Sequence, residues 1–133
     1  MNEEISVGAI VFNKNREVLL LKRRDKKNFW EFPKGHKEQN EKDIDTLKRE
    51  LKEEINITDY DILPIEPEIN KYINSKGNLR IIKLYIIIAK DVNIKLSPEH
   101  DSYKWCKLSD AKKMLPHISW VKILENSFKK ALS

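Results

Sequence analysis

The strongest constraint on this chain is an acidic helix whose charges fall on one side. Glu50, Glu53 and Glu54 stand at i, i+3 and i+4, spacings that bring side chains onto one helical face. Ile44, Leu47, Leu51 and Ile55 recur at three- and four-residue steps in the same segment. They predict an apolar stripe that packs on a sheet. At about 100° per residue the stripe lies roughly a quarter-turn from the acids. One flank is therefore expected to bury and the next to face a cleft. Asn40 is the expected N-cap, with Asp43 as its capping-box partner. Asn56 stands where the helix should stop, since asparagine tolerates the left-handed conformation. Crowded carboxylates repel one another and favour a hard divalent cation such as Mg²⁺, with Mn²⁺ as a substitute. Upstream, Gly35 has no side chain to keep its carbonyl from the same ion.

The rest of the chain predicts a mixed sheet with helices. Ile5, Val7, Ala9 and Val11 alternate with Ser6, Gly8 and Ile10 over residues 4–12, a strand. Val18 to Leu21 is a continuous apolar run, expected of a central strand covered on both faces. Trp30 to Phe32 is a short strand, with Pro33 expected to end its ladder pairing. Residues 60–63, Lys71 to Ile73, Leu79 to Ala89 and Tyr103 to Cys106 read as further strands. Asn74 to Asn78 is a hairpin loop. Ser109 is the expected N-cap of a short helix to Leu115, and a last helix covers residues 119–132. The predicted order is βββαβββαα, within a single domain spanning residues 1–133.

Composition narrows the function classes. The net charge of +5 suits a polyanionic substrate or loose contact with nucleic acid. Cys106 is the only cysteine, so no internal disulfide can form and a reducing cytoplasm is expected. The first residues lack the basic, apolar pattern of a signal peptide, and no stretch approaches the ~18 apolar residues of a membrane span.

Gly35, Glu41, Arg49, Glu50, Leu51, Glu53, Glu54 and Ile57 together resemble the Nudix box, G-x5-E-x7-R-E-U-x-E-E-x-G-U, where U is bulky and aliphatic. The box spans residues 35–57, and its one departure is Asn56 in place of glycine. Two further segments are similar to the asymmetric diadenosine tetraphosphate hydrolases of that family: Phe29-Trp30-Glu31-Phe32-Pro33-Lys34-Gly35-His36, and Leu96-Ser97-Pro98-Glu99-His100-Asp101-Ser102-Tyr103-Lys104-Trp105.

The resemblance implies a Nudix-type α-β-α sandwich with a mixed central sheet. It implies a metal site of Gly35, Glu50, Glu53, Glu54 and Glu99, with Glu50 and Glu54 as principal ligands. It implies Glu53, Glu54 and Glu99 as the candidate catalytic carboxylates, Glu53 either binding a second ion or activating water and Glu99 acting as base or metal ligand. Arg49 orients a glutamate through charge-assisted hydrogen bonds, and Glu41 anchors the loop or reaches the metal through water. Lys34 and His36 are expected to hold phosphate oxygens, and Tyr72 and Tyr103 to stack on adenine. Lys83, with Lys76 and Arg80, is expected to reach phosphates from the hairpin. The implied reaction is Mg²⁺-dependent hydrolysis of dinucleoside polyphosphates to ATP and AMP. The implied protein is a cytoplasmic monomer without a stable nucleic-acid partner. Hydrolysis of RNA 5′-triphosphates and non-catalytic nucleotide sensing are the alternatives.

Overall fold

The computed structural model describes residues 2–132, in which a mixed sheet separates one long helix from two others. The strands are β1 (Glu3–Phe12), β2 (Val18–Arg23), β3 (Trp30–Glu31), β4 (Lys34–His36), β5 (Tyr60–Ile62), β6 (Glu68–Ile73), β7 (Leu79–Ala89) and β8 (His100–Cys106). The helices are α1 (Asp43–Ile55), α2 (Leu108–Met114) and α3 (Ile118–Leu132). The spine of the sheet runs β3-β2-β1-β7-β5, with β4 on β1, β6 on β7 and β8 on β2. β1 and β7 pair in parallel over their whole length, and the other ladders are antiparallel. This is the mixed sheet expected from the sequence.

The continuous apolar runs are explained by cover on both faces. Val7, Ala9, Val11, Leu19, Leu21, Ile87 and Ala89 pack with Leu47, Leu51 and Ile55 of α1. Their neighbours Ile10, Phe12, Val18, Leu20, Ile82, Leu84 and Ile86 pack with Ala111, Leu115, Val121 and Leu124 on the other face. Strand side chains alternate between faces, so a run without polar gaps feeds both layers.

Three local expectations change. Pro33 does not end the ladder. Its carbonyl accepts a hydrogen bond from Ala9 N at 3.0 Å, and Lys34 to His36 then pair with Ser6 to Gly8. Gly8 permits this, because a Cβ there would sit 2.1 Å from Pro33 O and 2.5 Å from Lys34 Cβ. Lys42, not Asn40, caps α1; Asn40 is in the left-handed conformation two residues earlier (φ 68°). Asp45 Oδ2 accepts from Lys42 N at 3.3 Å, which is one half of a capping box. Lys107 likewise takes the cap of α2 that Ser109 was expected to supply. At the other end of α1 the expectation holds. Asn56 is left-handed (φ 57°, ψ 39°), and its N–H and that of Ile57 close onto Lys52 and Leu51 carbonyls.

Candidate functional site

The loop after β7 closes over the C-terminal end of α1. Ser97 N donates to Glu54 O at 3.1 Å and Lys95 N to Ile55 O at 3.1 Å. These bonds satisfy helix carbonyls that would otherwise lack partners. They also set the following turn, which carries Glu99, beside the acidic flank of α1. The charge of Glu99 raises the pKa of both Glu50 and Glu54.

Glu54 is the buried member of the cluster, at 5% exposure. Its Oε1 accepts only a long bond from Lys34 N, 3.3 Å. Burial, with the neighbouring Glu50 charge, pushes its carboxyl up to about 8, against the opposing pull of Lys34. Glu50 is also raised, first by burial, although Arg49 holds it from the side. Glu53 lies exposed on the next turn-face of α1.

Arg49 organises this region. Nε and Nη2 clasp Glu41 at 2.8 and 2.9 Å, Nη1 donates to Glu50 Oε1 at 2.7 Å and approaches Glu53 Oε2 at 3.3 Å, and Nη2 donates to the His36 carbonyl at 2.9 Å. The fork geometry of guanidinium suits such a many-armed role. Glu41, hydrogen-bonded first by Arg49 and then by Glu38 N, has its carboxyl held down at about 2. It also accepts from Thr46 Oγ1 at 2.9 Å, so Glu41 anchors the loop into α1.

The donor set fits a hard divalent cation. A Cβ on Gly35 would meet Glu50 Cδ at 1.9 Å and both of its oxygens at 2.1 Å. The Glu50 carboxylate therefore lies directly against bare backbone, where only glycine fits. Glu54, buried with a raised pKa and only a long bond from Lys34 N, and Glu50, half-buried and held by Arg49 from one side, are oxygen donors that a cation would neutralise. Among the described residues, no three Asp, Glu, His or Cys side chains are drawn together as a closed ligand set; Arg49 stands between Glu50 and Glu53.

Next to the acids is a cavity of about 540 Å³ on the α2–α3 side of the sheet. Phe29, Trp30, Phe32, Tyr72 and Trp120 supply its rings, and Arg23, Lys26, Lys34, Lys71 and Arg80 its cations. Trp120 meets Phe32 edge-on with centroids 6.1 Å apart. Trp30 and Trp120 are half-buried walls of this cavity. Arg80 is fixed by a 2.8 Å bond from Nη2 to Ser6 Oγ. Lys34 joins the two regions: its N–H meets Glu54, and its side chain lines the cavity and pairs with Glu31 at 2.9 Å.

The expected substrate residues divide. Tyr72, 45% exposed, lines the cavity, whereas Tyr103, 42% exposed on β8, does not. His36 is exposed at the end of β4. Lys83 is turned away. It faces the α1 layer, where its ammonium pairs with Asp43 at 2.9 Å, and Lys37 meets the other oxygen of the same carboxylate. Lys76 is exposed on the hairpin. Sequence reasoning missed Glu31, whose carboxylate also meets His100 Nε2 at 2.7 Å. Burial works against the Glu31 charge, but His100 and Lys34 outweigh it and hold the carboxyl at about 2. No spacing rule links residues 31 and 100.

Comparison with known proteins places the chain in a family and a fold. The sequence model of the NUDIX domain matches residues 3–124. The asymmetrical bis(5′-nucleosyl)-tetraphosphatase of Rattus norvegicus is 36% identical over 104 residues, covering 76% of this chain and 71% of the rat protein. The crystal structure of a C. elegans Ap4A hydrolase binary complex superposes with a TM-score of 0.87 at 30% identity, covering 97% of both chains. An RNA pyrophosphohydrolase of Campylobacter jejuni is 28% identical over 144 aligned positions, covering 93% of this chain and 92% of that protein.

Proposed function

The chain belongs to the Nudix hydrolase family, and from that premise we propose that it hydrolyses diadenosine tetraphosphate and related dinucleoside polyphosphates to ATP and AMP with Mg²⁺. One observation carries the choice. Lys34 is shared between the carboxylate cluster and a ring-lined, cationic cavity, so a nucleoside and the phosphate to be attacked have adjoining places. The likeness to the rat and nematode enzymes supports the same reading.

Glu50, Glu54 and the Gly35 carbonyl would hold the principal divalent ion, with Glu53 and Glu99 beside them. A bound cation neutralises polyphosphate charge and polarises the attacking water. Glu53, Glu54 and Glu99 are the groups available to take the proton from that water. Arg49 keeps Glu50 and Glu41 in register. Lys34 and His36 bind phosphate oxygens, and Tyr72 stacks on a base. Water adds to the phosphorus bonded to adenosine, the P–O bond to the triphosphate breaks, and ATP leaves.

The test is a substrate panel in ¹⁸O-labelled water with Mg²⁺. Diadenosine tetraphosphate should give the highest kcat/KM, with the label in AMP. A second reading, removal of pyrophosphate from RNA 5′ ends, is favoured by the C. jejuni relative and the net charge of +5. Faster turnover of a short triphosphorylated RNA would select it. Tight nucleotide binding without turnover, with either Mg²⁺ or Mn²⁺, would instead identify a sensing module.

A further inference from the structure

We infer that Glu31, itself held by His100, is a positioning residue that aims the Lys34 ammonium into the cavity; this rests on the reading of Lys34 as a phosphate ligand.

The backbone of Lys34 is already fixed. It pairs with Gly8 across β1 and β4, Gly8 has no side chain to push it away, and its N–H meets Glu54. The ammonium is not fixed by any of this. Four carbons separate it from the backbone, and a chain of that length ranges over many rotamers unless a partner holds its end. Glu31 Oε1, 2.9 Å away, is the tie that orders it. Glu31 and Lys34 flank Phe32-Pro33, the step between β3 and β4, so the pair spans the two strand ends.

Glu31 would itself swing without a second hold. His100 supplies it through Nε2, 2.7 Å from Oε2. A carboxylate only accepts, so the ring proton belongs on Nε2. Among the described residues His100 Nδ1 is buried with no hydrogen-bond partner. The bond to Glu31 is thus the ring's one polar attachment. His100 opens β8 immediately after Glu99, and its N–H closes the turn onto Ser97 O at 3.3 Å. The same turn therefore presents Glu99 to the acids and, through His100 and Glu31, sets the reach of Lys34. Both sides of a bound polyphosphate would be adjusted by one loop.

A double-mutant cycle on the full chain tests this. Glu31→Gln conserves volume but removes the charge and leaves one acceptor oxygen for two donors, the Lys34 ammonium and the His100 Nε2–H. It should raise KM for diadenosine tetraphosphate about tenfold, the scale of losing an orienting partner, with kcat nearly unchanged. Lys34→Met should raise KM at least as much. In the Lys34→Met background, Glu31→Gln should change KM by less than about twofold, because its effect passes through the ammonium. His100→Gln carries the same cycle should Glu31→Gln melt early. Equal effects of Glu31→Gln with and without Lys34, or a lowered KM, would overturn the positioning role while leaving Lys34 a phosphate ligand. An unchanged KM in Lys34→Met would overturn both.

Discussion

The acidic cluster and the adjoining cavity are built in opposite ways. Four of the acids and their orienting arginine come from one loop and helix, residues 41–54, with Gly35 just upstream and Glu99 the sole distant arrival. The cavity takes its walls from residues 23–34, 70–84 and 115–120, which meet only when β2, β3, β6, β7 and α3 are assembled. The cluster is a set of mutually repelling charges restrained by Arg49; the cavity is a set of rings and cations restrained by strand pairing. Under the proposed function, reaction type would be concentrated in a short segment and substrate preference spread over the fold. Substitutions in the first region should reduce kcat, and those in the second should act on KM.

The largest effect expected is that of Glu54→Gln, a loss of about 10²–10³-fold in kcat, as for one preorganised charge-stabilising group. The same variant should not lose stability. With its carboxyl raised from 4.5 to about 8, native Glu54 keeps a proton that the unfolded chain has released. Metal-free stability from this group therefore falls as pH rises from about 4.5 to 8. Melting curves across that range should show a flatter slope for Glu54→Gln. In the wild type, divalent-ion affinity should increase with pH up to about 8, since the ion must displace that proton; calorimetry in two buffers would count it. Near-wild-type turnover in Glu54→Gln would break the assignment of the cluster.

Gly35→Ala comes next. The added carbon overlaps the Glu50 carboxyl, so Glu50 must shift, and displacements of about 1 Å can cost about 10²-fold in rate. Divalent-ion titration should show weakened affinity alongside the lowered kcat. Arg49→Lys should cost roughly 10–100-fold, because an ammonium cannot hold Glu41, Glu50 and the His36 carbonyl together. The smallest effect is expected in the cavity: Tyr72→Ala should raise KM by an amount equivalent to about 1–3 kcal/mol of stacking, with kcat preserved. A kcat loss in Tyr72→Ala, or a pure KM effect in Arg49→Lys, would erase the division between the regions.

Much of the cluster is legible in the order of residues. Helical spacing alone put Glu50, Glu53 and Glu54 on one flank of α1, although it did not show that Arg49 would stand between Glu50 and Glu53, and the stripe from Ile44 to Ile55 named the buried face. Asn56 as the stop followed from its tolerance of positive φ. The apolar runs at Val18 to Leu21 and Leu84 to Ile88 announced strands covered on both faces. The start of α1 was misjudged because Asn40 has the better capping side chain but is left-handed, while Lys42 adopts the extended backbone that opens the helix, in a loop anchored by Glu41. β4 was missed because proline usually marks the end of pairing, whereas here its carbonyl, not its missing N–H, faces β1.

The sequence by itself determined whatever depends on neighbours a few residues apart: the acidic face, the helix end, the two-sided strands and the bare backbone at Gly35. Tertiary structure decided that Lys83 pairs with Asp43, that Tyr72 and not Tyr103 lines the cavity, and that Glu31 meets His100. The physical reason is the range of the forces that specify each. Helical periodicity and φ preference act within a turn of chain, so they leave a pattern in the order of residues. A 2.7 Å contact between residues 31 and 100 is specified by strand register across the sheet, which no local pattern records.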